Sequence, residues 1–178
     1  YYDDTPSDGR NNPVWKTIAL VGLGAGGHGY FALDITDPES PSHLFAIEND
    51  PTNQAVKHWN KDGFKNEFGY AGGNIDANMD YRKLGEAWST PRIIRIKHNN
   101  KDKWVAVFGG GYNGSVNPNY GSAVFVMDLE DEGRLLQNID ITDVSSSNIV
   151  NSVPADLTVI TADGTDKANY NGAMIYAP

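Results

Sequence analysis

Residues 21–27 read Val-Gly-Leu-Gly-Ala-Gly-Gly and place Gly22, Gly24 and Gly27 at the spacing G-x-G-x-x-G, directly after the apolar run 17–21. That spacing is half of a dinucleotide-binding fingerprint, which must open a helix so that a pyrophosphate can sit on the helix N-terminus. Here the following residues are Gly-Tyr-Phe-Ala-Leu-Asp-Ile-Thr (29–36), rich in aromatic and branched side chains and closed by Asp37-Pro38. They read as a second strand. The pattern also recurs: residues 104–114 carry Gly109, Gly111 and Gly114 after another apolar run, and the strand-like stretch 122–128 follows. A motif that repeats between strands is a turn, with glycine supplying positive φ.

Working outward, the two copies align. Residues 15–24 match 104–112, residues 29–37 match 121–129, and residues 43–47 match 134–139. A third partial copy pairs residues 89–97 with 152–160. The complete unit reads as four strands, near 89–97, 103–109, 121–128 and 134–141. Units of about 40–60 residues with four short strands each indicate an all-β fold built of four-stranded antiparallel blades, a fragment of a β-propeller.

The expected organisation is a connecting segment at 1–14, a partial blade at 15–47 lacking its first strand, and a long inserted loop at 48–87. A complete blade follows at 88–141, then a Ser/Asn-rich link, then the start of another blade at 152–178. A chain holding about two and a half blades is expected to belong to a protein longer at both ends, since propellers have about four to eight. The opening Tyr-Tyr-Asp-Asp has the look of a mature fragment.

Composition excludes several functions. The chain of 178 residues carries a formal charge of −9, against a nucleic-acid surface, and has no cysteine for thiol catalysis, disulfides or cysteine-ligated zinc. No apolar run reaches the ~20 residues of a membrane-spanning helix. His28, His43, His58 and His98 have no metal-ligand spacing. Asp34, Asp37 and Glu39, and again Asp128, Glu130, Asp131 and Glu132, gather at matching turns and read as solvated turn acids rather than a glycosidase pair. Trp15 and Trp104 open matching strands and are expected between blades. Trp59, Phe64, Phe68, Tyr70 and Tyr81 lie in the inserted loop, where internal packing competes with contact to a partner.

Three motifs in order, Gly-Gly-His-Gly-Tyr-Phe-Ala-Leu-Asp-Ile-Thr-Asp-Pro (26–38), Ala-Trp-Ser-Thr-Pro (87–91) and Lys-Trp-Val-Ala-Val-Phe-Gly-Gly-Gly-Tyr-Asn (103–113), resemble the C-terminal propeller of the PilY family of type IV pilus tip adhesins. The resemblance covers residues 15–47 and 88–160. It implies a modified quinoprotein-like propeller, exported to the cell surface, outer membrane or pilus tip. It implies a non-enzymatic role in pilus biogenesis and in attachment to a host or abiotic surface, with minor pilins as partners. The family's calcium-binding Asp-x-Asp-x-Asp loop follows a Ser-x-Pro-Ala segment, here residues 152–155. This chain departs from the pattern there: Asp163 and Asp166, the candidate Ca2+ ligands, stand three apart and Lys167 follows them, so a hairpin turn at Asp163-Gly164 is the competing reading. The alternative function is a quinoprotein-type dehydrogenase, because residues 128–136 are a degraded form of the Leu-Asp-x-x-Thr-Gly-Lys-Leu-x-Trp segment of such propellers. Against it, Asn138 or Ile139 stands where the closing tryptophan belongs. The inserted loop 48–87 is the expected contact surface.

Overall fold

The computed structural model describes residues 2–3, 15–71, 75–99, 101–113, 120–141, 152–161 and 173–177. Asp163 and Asp166 lie outside the described residues. Among the described residues the strands run in chain order: β1 (Tyr2–Asp3), β2 (Trp15–Lys16), β3 (Ile18–Gly22), β4 (Gly29–Asp34), β5 (Ser42–Asp50), β6 (Ala55–Trp59), β7 (Lys65–Gly69), β8 (Arg92–His98), β9 (Lys101–Gly109), β10 (Ala123–Asp128), β11 (Leu135–Asp140), β12 (Thr158–Thr161) and β13 (Ala173–Tyr176). A 3-10 turn spans Ala77–Met79.

After the short pair β1-β2, three antiparallel sheets follow one another among the described residues: β3-β4-β5-β6-β7, then β8-β9-β10-β11, then β12-β13. The second is a four-stranded meander, the unit of a propeller blade. Pairing registers set the equivalences. Gly22 faces Tyr30 as Gly109 faces Val124, and the carbonyls of Thr17 and Trp104 accept from Ile35 and Leu129. Thr17, not Trp15, therefore corresponds to Trp104, and Trp15 is 54% exposed rather than packed between blades.

Two further expectations change. Tyr2–Asp3, placed in a connecting segment, pairs with Lys16 and Trp15 as Ile96 and Lys97 pair with Lys103 and Asp102. The register matches that of β8 on β9, the first strand pair of the second sheet. Residues 48–87, read as a long inserted loop, instead extend β5 to Asp50 and add the hairpin β6–β7 to the outer edge of the first sheet. The hairpin turn is made by Asn60, whose Oδ1 accepts from the amides of Asp62 (3.1 Å) and Phe64 (2.9 Å), and by Gly63 at φ +78°. Burial alternates along β6, with Val56 and His58 inside and Lys57 and Trp59 partly out, the period of a half-buried strand.

The second sheet is buried on both faces, and the alternation along β9 and β10 sorts its side chains. Ala106, Phe108, Phe125 and Met127 pack with Tyr30, Ala32, Phe45, Ile47 and Val56 of the first sheet. Val105, Val107, Val124 and Val126 pack with Val153 and Leu157 and with Val159 and Ile175 of the third. Strands covered on both faces are continuously apolar, which is why residues 104–109 and 123–127 carry no charge. Full burial of each such side chain contributes about 1.5–3 kcal/mol.

The repeated glycines let one blade close on the next. Ala87, leading into the second sheet, bridges to Gly24, and Val153, leading into the third, bridges to Gly111. A Cβ on Gly109 would lie 2.2 Å from the Val153 carbonyl oxygen. Gly111 has φ +88°, and a Cβ there would lie 2.0 Å from the Glu86 carbonyl. Backbone meets backbone where a side chain cannot fit. The third copy is thereby realigned: Ala87 matches Val153, so Ser89 matches Ala155 rather than Ser152.

Candidate functional site

The turn acids are structural. Asp34 and Asp128 end equivalent strands, and each Oδ1 accepts an amide two residues on, from Thr36 and Glu130 (both 2.9 Å). Each also faces an equivalent lysine, Lys16 at 3.7 Å and Lys103 at 2.8 Å. Asp128 departs from the expected solvated acid: it is buried, and the ion pair with Lys103 offsets its desolvation. Of the histidines, His28 stands in the glycine turn with its ring 6.5 Å from that of Tyr120, and His58 is buried with Nε2 2.9 Å from the Glu132 carbonyl. His43 lies in β5 and ends up half-buried, as does His98 at the end of β8. Among the described residues no group of three or more His, Cys, Asp or Glu could hold a metal ion.

Residues 75–84 form a strap that ties the two larger sheets together. Asn49, buried on β5, donates from Nδ2 to the carbonyls of Arg82 (3.0 Å) and Leu84 (2.7 Å), while its Oδ1 accepts from the Tyr70 hydroxyl. On the other side Asn78 Nδ2 donates to the Leu135 carbonyl (2.9 Å) and Asn138 Nδ2 to that of Asp80 (3.0 Å). Asp76 pairs with Arg134. Tyr81 is wholly buried, with its hydroxyl donating to the Gly133 carbonyl (2.6 Å) and its ring 5.3 Å from Phe125. Burial, and after it the charge of Asp128, raises its hydroxyl well above the usual phenol range. Of the aromatics at 59–81, only Phe64, at the hairpin tip, is strongly exposed (70%).

Between strap and β11 lies a cavity of about 890 Å3. Asp80 and Arg82 form a two-pronged ion pair in its wall, both contacts 2.7 Å, and Lys83 pairs with Asp140. The Arg82 hydrogen bonds hold the Asp80 carboxyl below the ordinary carboxylate range. Tyr70 and Tyr120 also line it; burial first, and Tyr120 second, push the Tyr70 hydroxyl up to about 12. These residues come from strap, β11 and loops, with Asp80 and Asn138 alone 58 positions apart in sequence, and no motif flags them. The one local signal was the Asp-Tyr-Arg of 80–82.

Residues 7–175 match the PilY1 beta-propeller domain family. The chain belongs to that family. It is 29% identical over 144 residues to a type IV pilus biogenesis factor PilY1 of Pseudomonas aeruginosa, covering 80% of this chain and 9% of that protein. It is 27% identical over 177 residues to a PilY1 homolog of Xylella fastidiosa, covering 97% of this chain and again 9% of the relative. The chain thus spans about a tenth of the length of these relatives. No solved structure matches it.

Within this PilY1-type propeller segment, Asp156 is described, and it already has partners. Its Oδ1 accepts from the Thr90 amide at 2.7 Å, and Arg92 reaches the Leu157 carbonyl at 3.2 Å. The Thr90 amide, then its side chain, lowers the Asp156 carboxyl from its ordinary value. This carboxylate fastens the lead-in of the third sheet to that of the second.

Proposed function

We propose that this chain is a non-enzymatic propeller module of an exported type IV pilus biogenesis factor. It supports pilus assembly and the attachment of the pilus tip or cell surface to host or abiotic surfaces, in contact with minor pilins. The observation that carries the reading is the family match across residues 7–175, together with relatives whose names are type IV pilus biogenesis factors. Blades that lock through backbone contacts at Gly109 and Gly111 suit a rigid scaffold. No helix among the described residues is long and apolar enough to cross a membrane.

The test is Gly111→Val in the full-length protein. The Cβ would meet the Glu86 carbonyl and the φ is left-handed, so the module loses its blade contact. The expected result is a loss of surface pili and of surface attachment. Normal piliation and attachment with the folded module disrupted would refute the proposal. The non-enzymatic reading is checked separately: full-length protein given pyrroloquinoline quinone and calcium should reduce no dye with alcohol or aldose substrates.

A further inference from the structure

We propose that the cavity between the strap and β11 binds an uncharged saccharide. It has the volume of a small-molecule site, about 890 Å3 against the usual 300–1,000 Å3. Its wall chemistry then decides the ligand class. Planar amides come from Asn78, Gln137 and Asn138, and aromatic rings from Tyr70 and Tyr120. Amides and fixed carboxylates hydrogen-bond vicinal hydroxyls, and rings cover the C–H faces of a sugar.

The charges argue for neutrality. The cationic side chains in the wall, Arg82 and Lys83, are each already bound to a carboxylate, Asp80 and Asp140. A phosphate, sulfate or sialic acid would meet cations whose charge is already balanced by a carboxylate, whereas hydroxyls can bond to the pairs as they stand. An extended peptide fits less well. The two clasps Asn78–Leu135 and Asn138–Asp80 cross between strap and β11 within the lining, where an added strand would run. Asn138 Oδ1 has no hydrogen-bond partner among the described residues, which leaves an unsatisfied acceptor in the wall beside the clasp. Arg82 through its carbonyl, and Asn78 and Asn138 through their Nδ2 groups, set the walls by the strap clasps, while Gln137 is exposed to meet a ligand.

This assignment stands on the cavity and does not depend on the pilus reading. The experiment screens the full-length protein against an array of uncharged oligosaccharides, with sialylated glycans and hexapeptides as controls. Titration calorimetry follows on the best uncharged binder. The expected result is a Kd at or below about 1 mM. It should weaken at least about tenfold, equivalent to 1.4 kcal/mol, in Gln137→Trp, which fills the cavity, and in Tyr120→Ala. Phe64→Ala, at the hairpin tip, should bind like the parent. Both cavity variants are checked by circular dichroism, and Gln137→Ala serves if either misfolds. No binding across the uncharged array, preference for the anionic or peptide controls, or binding indifferent to the cavity variants would overturn the proposal. Normal piliation with saccharide binding abolished would leave the pilus role intact and the two readings separated.

Discussion

The two faces of the second sheet are built from alternate residues of the same two strands, β9 and β10, and solve the same problem differently. Toward the first sheet the contact is aromatic: Tyr30 and Phe108 rings lie 4.4 Å apart, Phe108 and Phe125 5.6 Å, and Tyr81 adds a third partner. Two phenols are buried there, and each hydroxyl donates to a carbonyl, Tyr30 to Ser89 (2.8 Å) and Tyr81 to Gly133 (2.6 Å). Toward the third sheet the contact is aliphatic, four valines against Val153, Leu157 and their neighbours, with no buried hydroxyl in the cluster. The difference follows from what must be filled. The strap 75–84 and the hairpin β6–β7 belong to the first interface only, and long rings with polar tips can pack against irregular backbone while satisfying its carbonyls. The second interface is sheet against sheet, which branched side chains fill without polar atoms.

Four substitutions sharpen that contrast. Phe108→Ala removes the ring at the centre of the aromatic face and should cost about 3–5 kcal/mol, read by urea denaturation and by faster hydrogen exchange in residues 101–109. Leu157→Ala, at the aliphatic face, should cost about 2–4 kcal/mol, with the largest exchange increase in residues 153–161. Equal loss of protection in residues 101–109 and 153–161 from either change would erase the distinction. Tyr81→Phe leaves the Gly133 carbonyl without its donor and should cost about 1–3 kcal/mol; a change below about 0.5 kcal/mol would mean water replaces the phenol. The smallest effect is expected from Asp80→Asn. Because the Asp80 carboxyl is lowered in the fold, its contribution is present above its unfolded pKa of about 3.9 and is lost as pH falls through the lower folded value. Denaturation midpoints between pH 5 and 2.5 should therefore fall less steeply in the variant than in the parent.

Much of the repeat was legible because each blade's chemistry is local. Alternation, the Gly-rich turns and the closing aspartates placed β8 to β11 within about three residues, and the absence of a helix after Gly27 ruled out a dinucleotide site. What was not legible depends on distant partners. β6 and β7 carry Lys57, His58, Lys65 and Glu67, a composition that reads as loop; they are strands because β5 offers them an edge and His58 finds the Glu132 carbonyl. Trp15 and Trp104 looked equivalent by letter, yet pairing register, set by Gly22 and Gly109, moves them two residues apart. The cavity was invisible for the same reason: its walls are brought together by Asn49, Asn78 and Asn138, amides with no spacing of their own.

Stacking of the first blade on the second is the central claim, and a double-mutant cycle between Tyr30→Leu and Phe108→Leu tests it most directly. Rings at 4.4 Å on adjacent sheets should show a coupling of about 0.5–1.5 kcal/mol beyond the sum of the single changes. Additivity within about 0.3 kcal/mol would contradict the contact, and with it the order in which these blades pack.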